Sequence, residues 1–183
     1  GPGDFVTEAD RRTEKILYEE LKKARPGFGF LMEESGSVLV EGSDERWIID
    51  PVDGTTNFLH GIPHFAISVG AERDGELVAG MIYEPIRDEL FWAAAGEGAY
   101  LNRRRLRVSE RRTMGDALLA TGIPFAQRVG QKSFMAMLNA VMPKTAGVRR
   151  QGAASLDMAY VAAGRYEGFW EVTLQPWDVA AGI

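Results

Sequence analysis

Trp47-Ile48-Ile49-Asp50-Pro51-Val52-Asp53-Gly54-Thr55-Thr56-Asn57 is the stretch on which the reading of the whole chain depends. Its apolar opening, Trp47 to Ile49, suits the end of a buried strand. Proline cannot donate to a strand ladder, so the strand is expected to stop at Asp50-Pro51. Two carboxylates, Asp50 and Asp53, follow in close succession. Held this near each other they repel, and neither gains from burial unless a cation joins them. A hard divalent ion such as Mg²⁺ takes oxygen ligands, including backbone carbonyls such as that of Val52. Gly54-Thr55-Thr56 suits a tight turn opening a short helix, where backbone amides point at an anion. Carboxylates for a metal beside amides for a phosphate form a layout for metal-assisted phosphoryl chemistry.

Upstream, Thr7-Glu8-Ala9-Asp10 opens a helix with a capping-box pattern. Ala9, Thr13, Ile16, Leu17, Leu21 and Ala24 recur at helical spacing until Pro26-Gly27 ends it. Phe28 to Met32 is a strand that delivers Glu33 and Glu34, of which only one can face a given side. On its own a Glu-Glu pair is a solvated acidic loop. Ser35 to Glu45 is polar and is expected to be a loop over the site.

Downstream, Phe58 to Pro63 is a short helix and turn; His60 and His64 there carry only a weak reading as catalytic groups. Ala66 to Arg73 and Glu76 to Tyr83 are strands joined by the hairpin signal Asp74-Gly75. Glu89 to Ala94 continues the sheet, and Leu106-Arg107-Val108 is the candidate edge strand. Arg103, Arg104 and Arg105 form a solvated turn. Ala117 to Gly122 starts a second lobe, followed by a helix over Gln131 to Met142 with Phe134, Met135, Leu138 and Val141 on one face. A further helix over about 153–163 follows Gly152, Ala153 and Ala154, whose amides are placed to meet a substrate hydroxyl or phosphate. Tyr166 to Glu171 is a strand, and Asp178 follows Pro176-Trp177 at a helix start, where a carboxylate also serves as a cap.

The chain has 183 residues, 26% of them charged, and a net charge of −5. That balance argues against disorder and against a nucleic-acid surface, so no direct nucleic-acid contact is expected. With no cysteine there is no disulfide framework, thiolate metal site or cysteine nucleophile, and two histidines make a histidine-built zinc site a poor candidate. No membrane span or signal peptide is recognisable, and a cytoplasmic location is expected. The chain opens at Gly1-Pro2-Gly3 and stops at Ile183, and is expected to be a fragment lacking a leading helix and a C-terminal section.

Three pieces in order, Glu33-Glu34-Ser35, Asp50 to Asn57 and Trp177-Asp178-Val179-Ala180-Ala181-Gly182, resemble the signature of the inositol monophosphatase family of Mg²⁺-dependent, lithium-sensitive phosphatases. The resemblance runs through nearly all of the chain. It implies an α+β fold, the layered αβαβα sandwich of the inositol monophosphatase/fructose bisphosphatase type, incomplete at both ends. Residues 1–115 would form a metal-binding lobe, and 116–183 a second α/β lobe carrying Glu171 and Asp178. It implies hydrolysis of inositol monophosphate, a small phosphate monoester, by metal-activated water with two or three Mg²⁺ ions. Glu33, Asp50 and the Val52 carbonyl would hold one ion. Asp50, Asp53 and Asp178 would hold a second, and a weaker third would use Glu33. Asp10 and Thr55 would orient the attacking water, and amides of Gly54, Thr55 and Thr56 the phosphate. Gly152, Ala153, Ala154 and Glu171 would bind substrate, Glu171 at the inositol hydroxyls. A homodimer is implied as well. Relatives with the same motifs act on fructose bisphosphate, NADP, histidinol phosphate or phosphoadenosine phosphate, and bacterial homologues bind transcription machinery. Both facts leave alternatives to the inositol phosphate reading: another phosphatase substrate, or a regulatory binding role.

Overall fold

A computed structural model describes residues 7–124 and 130–183. The first helix, α1 (Glu8–Ala24), starts on a capping box: the Asp10 amide donates to the Thr7 hydroxyl at 3.2 Å, and the Thr7 amide donates to the Asp10 carboxylate at 3.0 Å. Leu17, Tyr18 and Leu21 of α1 pack on Phe30, Met32, Ile49 and Val69. Ile16 is not part of that face and is 52% exposed. The buried polar positions of α1 are Asp10 and Glu14, one turn apart.

Eight strands form one sheet: β1 (Gly29–Met32), β2 (Gly36–Val38), β3 (Glu45–Asp53), β4 (Ala66–Arg73), β5 (Glu76–Glu84), β6 (Glu89–Ala94), β7 (Gly98–Leu101) and β8 (Arg104–Arg105), ordered β2-β1-β3-β4-β5-β6-β7-β8. Only β1 and β3 pair in parallel; the other neighbours are antiparallel. Two expectations change here. The polar segment after Ser35 supplies the edge strand β2 rather than a loop alone, and the far edge is Arg104–Arg105 rather than Leu106 to Val108. The Asp74-Gly75 turn has positive φ at both residues, 54° and 77°, as a tight hairpin of this twist requires.

The short helix α2 (Thr55–Leu59) follows β3 directly. A second sheet holds β9 (Leu118–Thr121), β10 (Gly147–Arg149) and β11 (Gly168–Trp170), all parallel and ordered β10-β9-β11. Among the described residues the remaining α-helices are α3 (Gln131–Val141), α4 (Ala154–Ala162) and α5 (Pro176–Val179). Helix α4 touches β4 and β5 of one sheet and β9 and β11 of the other, so it lies between them, and α5 rests on β3 and β4. The core there joins Ala66, Ile82 and Phe91 to Ala120, Leu156 and Tyr160, with Phe169 packed against it. Strand alternation turns the next residue, Trp170, to the opposite face, where it stacks on Phe134 of α3. The layers therefore run α1, sheet, α4 with α5, sheet, α3: an αβαβα sandwich. On α3 the buried face is narrow. Phe134 is fully buried while Met135 is 45% exposed, so Met135 does not share it.

Contrary to the reading of Pro51 as a stop, β3 continues through it to Asp53. Asp50 pairs with Ser68 and Asp53 with Ala66, with a register shift between them. Three steps on β3 thus match two on β4, a bulge. Proline is tolerated at a bulge because its missing N–H is not needed by the ladder. The extra residue also has a functional consequence. Residues three apart on a regular strand face opposite sides, and one inserted residue brings Asp50 and Asp53 back to the same side. Ile49, which anchors the strand just before the bulge, is fully buried, a contribution of about 1.5–3 kcal/mol.

Candidate active site

Each acidic group is set by its own backbone device. Glu33 follows the end of β1. Its position is fixed by α1, because the Glu34 amide donates to the buried Glu14 carboxylate at 2.9 Å and the Ser35 hydroxyl donates to the other Glu14 oxygen. Asp53 is held by the start of α4: Ala154 N–H donates to Oδ1 at 3.2 Å and Ser155 N–H to Oδ2 at 2.7 Å, and the Ser155 hydroxyl donates to Oδ2 as well. Asp50 Oδ1 accepts from the Val52 amide at 3.0 Å. Asp178 caps α5, accepting from the Gln175 amide at 2.6 Å. The turn between β3 and α2 depends on Gly54, at φ +95°, where a Cβ would come within 3.1 Å of the His64 carbonyl and 3.3 Å of the Ala153 methyl. That turn presents the Thr55 hydroxyl, which lies 3.1 Å from Asp10 Oδ1 and 3.0 Å from the Val52 carbonyl oxygen.

These devices converge on one cleft of about 590 Å³. Glu33, Asp50, Val52, Asp53 and Gly54 to Thr56 line it together with Gly152, Ala154, Glu171 and Asp178. Two expected site residues lie outside the lining. Asp10 is fully buried and reaches the cleft only through the Thr55 hydroxyl. Ala153 is 1% exposed, with its methyl in the hydrophobic core and against the Gly54 turn. Neither histidine lines the cleft. His60 is exposed, and His64 is buried with its ring edge-on to Tyr160.

The electrostatics are those of carboxylates buried and crowded together. Burial chiefly pushes Glu33 up to about 7, an effect its hydrogen bond with Asp50 partly offsets. Asp50 rises well above the carboxylate range through burial first, then the charges of Asp53 and Glu33. Burial raises Asp53 to about 6 even though the Ser155 and Ala154 donors favour its ionised form. Behind them Asp157, 1% exposed, is pushed up to about 8 by burial and by Asp53 and Glu171.

As they stand, no three acidic or histidine groups among the described residues converge as a set able to hold a metal ion. The donor chemistry nonetheless fits a hard divalent cation. Every group is an oxygen donor, Glu33 Oε2 is buried with no partner, and the raised protonation of Glu33, Asp50 and Asp53 marks charge that a cation would neutralise.

Glu14, Ser155, Asp157, Gly122 and Arg150 belong to this neighbourhood and were not singled out from the sequence. Glu14 alone left a usable signal, since it stands one turn beyond Asp10 on the same face of α1.

The family model for the inositol monophosphatase family matches residues 1–183. The chain belongs to the inositol monophosphatase family. Among its relatives, the inositol-1-monophosphatase of Mesorhizobium japonicum is 55% identical over 183 residues, covering 100% of this chain and 69% of the relative. The Nus factor SuhB of Pseudomonas aeruginosa is 49% identical, covering 98% of this chain and 68% of that protein. The crystal structure of the extragenic suppressor protein suhB from Bartonella henselae superposes with a TM-score of 0.97 at 57% identity, covering 100% of this chain and 70% of that one. As an inositol monophosphatase family member the chain is a phosphoric monoester hydrolase of α+β sandwich fold, and the family uses metal ions. Among the described residues no helix is long and apolar enough to cross a membrane.

Proposed function

We propose that the chain hydrolyses inositol monophosphate with Mg²⁺ as its cation. The observation that carries this reading is that Glu33, Asp50, Asp53 and Asp178, from three distant stretches, line the same cleft as the Gly54–Thr56 turn. Glu33, Asp50, Asp53, Asp178 and the Val52 carbonyl would hold two or three ions. When bound, these ions supply Lewis acidity, neutralising charge on the phosphate and making water more acidic. The Thr55 hydroxyl, polarised by Asp10, orients the attacking water and passes on its proton. Amides of Gly54, Thr55 and Thr56 hold the phosphoryl group in line, and Glu171, with the amides of Gly152 and Ala153, meets the hydroxyls of the alcohol, while the Ala154 amide stays on Asp53. A cytoplasmic, homodimeric enzyme belongs to the same proposal. Mg²⁺-dependent phosphate release from inositol 1-phosphate is the test. No release from this or any sugar phosphate by folded, metal-loaded protein would end the assignment.

The raised carboxylates make a second prediction. Glu33 and Asp53 bind a proton more tightly in the folded chain than in the unfolded one. Their ionisation therefore costs the metal-free fold stability as pH rises from about 4 through about 7, and the loss persists above that window. Mg²⁺ removes the repulsion, so its stabilising shift in Tm is expected to be several degrees larger at pH 8 than at pH 5. Equal shifts at the two pH values would show that the cluster does not bind the ion.

A regulatory binding role is the second reading, favoured by the relatives called Nus factor SuhB and by the exposed Arg103, Arg104 and Arg105. Partner capture that survives loss of hydrolysis would separate it from catalysis.

A further inference from the structure

Strands β4 and β5 place Gly70 directly opposite Gly80, and the row continues through Ala93 of β6 and Ala99 of β7. The β3 partner of Gly70 is Ile48, and Asp50 lies two residues further along that strand, on the same face. Glycine is a poor strand residue, with no side chain to pack, and inside a sheet it often marks the close approach of another backbone. Here that backbone is the end of α5. A Cβ on Gly70 would stand 2.9 Å from the Ala180 methyl and 3.2 Å from the Ala180 carbonyl carbon. One on Gly80 would stand 2.7 Å from the Ala181 carbonyl oxygen and 2.9 Å from the Ala181 Cα. Closer to the start of α5, the Trp177 carbonyl lies 3.5 Å from the buried hydroxyl of Ser68, the β4 residue opposite Asp50.

The segment is held from its other side as well. A Cβ on Gly182 would stand 2.6 Å from Met158 Cε and 2.9 Å from Met158 Cβ, so α4 lies directly against it. A methyl added to the sheet face therefore has to slide α5 rather than lift it. Carbon atoms rest about 3.5–4.0 Å apart, so the slide from 2.9 Å is on the order of 0.6–1 Å. A close-packed interior passes such a displacement on instead of absorbing it. Asp178 stands two residues before Ala180, and its charge is felt by Glu33, Asp50 and Asp53. We propose that Gly70 and Gly80 are positioning residues: the trough they leave in the sheet sets how deep α5 sits, and so holds Asp178 where it completes a metal site with Asp50 and Asp53. This rests on reading the cleft as that of a metal-dependent phosphatase.

Calorimetric titration with Mn²⁺ alone, on chains shown to be folded by circular dichroism, tests this without reference to turnover. Gly70→Ala and Gly80→Ala are each expected to weaken the binding of one ion by roughly tenfold to a hundredfold and to leave another within about threefold. Asp178→Asn should weaken the same ion. Adding Gly70→Ala to it should then change nothing more, since the methyl acts only through that carboxylate. Ala180→Gly should rescue Gly70→Ala, where the Ala180 methyl is the nearest obstacle. Ala181→Gly should not rescue Gly80→Ala, where the obstacle is backbone. Gly80→Ala carries the comparison where Gly70→Ala does not fold. Equal weakening of every ion, or a loss that multiplies with that of Asp178→Asn, would reduce the two glycines to general packing and overturn the proposal, as would unchanged binding. A selective loss absorbed by Asp178→Asn, in a chain that releases no phosphate from inositol 1-phosphate or any sugar phosphate, would uphold the trough while ending the phosphatase reading.

Discussion

Asp53→Asn is expected to lower phosphate release from inositol 1-phosphate by roughly a hundredfold to a thousandfold, the range seen when one fixed electrostatic contact to the reacting centre is removed. The substitution also acts on the fold, in two opposed ways. It places an amide where the carboxylate now accepts from Ala154 N–H, Ser155 N–H and the Ser155 hydroxyl, so at least one donor faces a donor. An unsatisfied buried group of this kind costs about 1–3 kcal/mol. It also removes a buried charge that Asp178 repels. At pH 8 these offset, and the metal-free Tm is expected to move by only a few degrees. The Mg²⁺-induced rise in Tm should shrink by about half or more, because Asp53 is one of the charges the cations would pair while Glu33 and Asp50 remain. Ser155→Ala is the control: it keeps the carboxylate, loses one donor, and is expected to retain most of the activity and most of the Mg²⁺ shift. Near-normal turnover in Asp53→Asn would remove the basis for assigning this cluster to catalysis.

Much of the site was legible because its residues carry their chemistry in their type and spacing. Asp50, Asp53 and the Gly54 turn stand in one stretch, and Thr7 with Asp10 announces a helix cap, while the family resemblance adds Asp10's place beside Thr55. What the sequence hid was mostly register. Pro51 looked like the end of a strand because proline lacks an N–H, yet a bulge needs no N–H there, and the same bulge turns Asp50 and Asp53 to one side. Ile16 fitted the apolar spacing of α1, but the face that turns inward carries Asp10 and Glu14 instead, because those acids have partners there: Thr7 and Thr55 for one, Glu34 and Ser35 for the other. Periodicity counts apolar residues and cannot see a polar group whose partners arrive from elsewhere. The small-residue run at Ala153 to Ser155 signalled close packing. Only the fold shows that the packing brings the first amides of α4 onto Asp53.

Gly122 is the clearest case of a requirement invisible in sequence, where it reads as the last residue of a strand. A Cβ built on it would fall 1.8 Å from Glu171 Cδ and 1.9 and 2.0 Å from the two carboxylate oxygens. No packing adjustment tolerates such distances, so in Gly122→Ala the Glu171 carboxylate must leave its present position. The obstruction is the far end of a flexible side chain, which can swing into the open cleft that both residues line. Stability should therefore change little, within about 1 kcal/mol. Recognition of the alcohol should suffer instead: KM for inositol 1-phosphate is expected to rise roughly tenfold or more, with kcat less affected, since Glu171 is assigned to hydroxyls remote from the phosphorus. Because the methyl acts only through Glu171, it should add nothing once that carboxylate is gone. Gly122→Ala combined with Glu171→Ala is expected to match Glu171→Ala alone, where independent effects would multiply. Steady-state kinetics on the three variants decides it. An unchanged KM in Gly122→Ala would mean that Glu171 does its work from another position or does not touch the substrate. Multiplied losses in the double variant would give Gly122 a role of its own in the cleft wall.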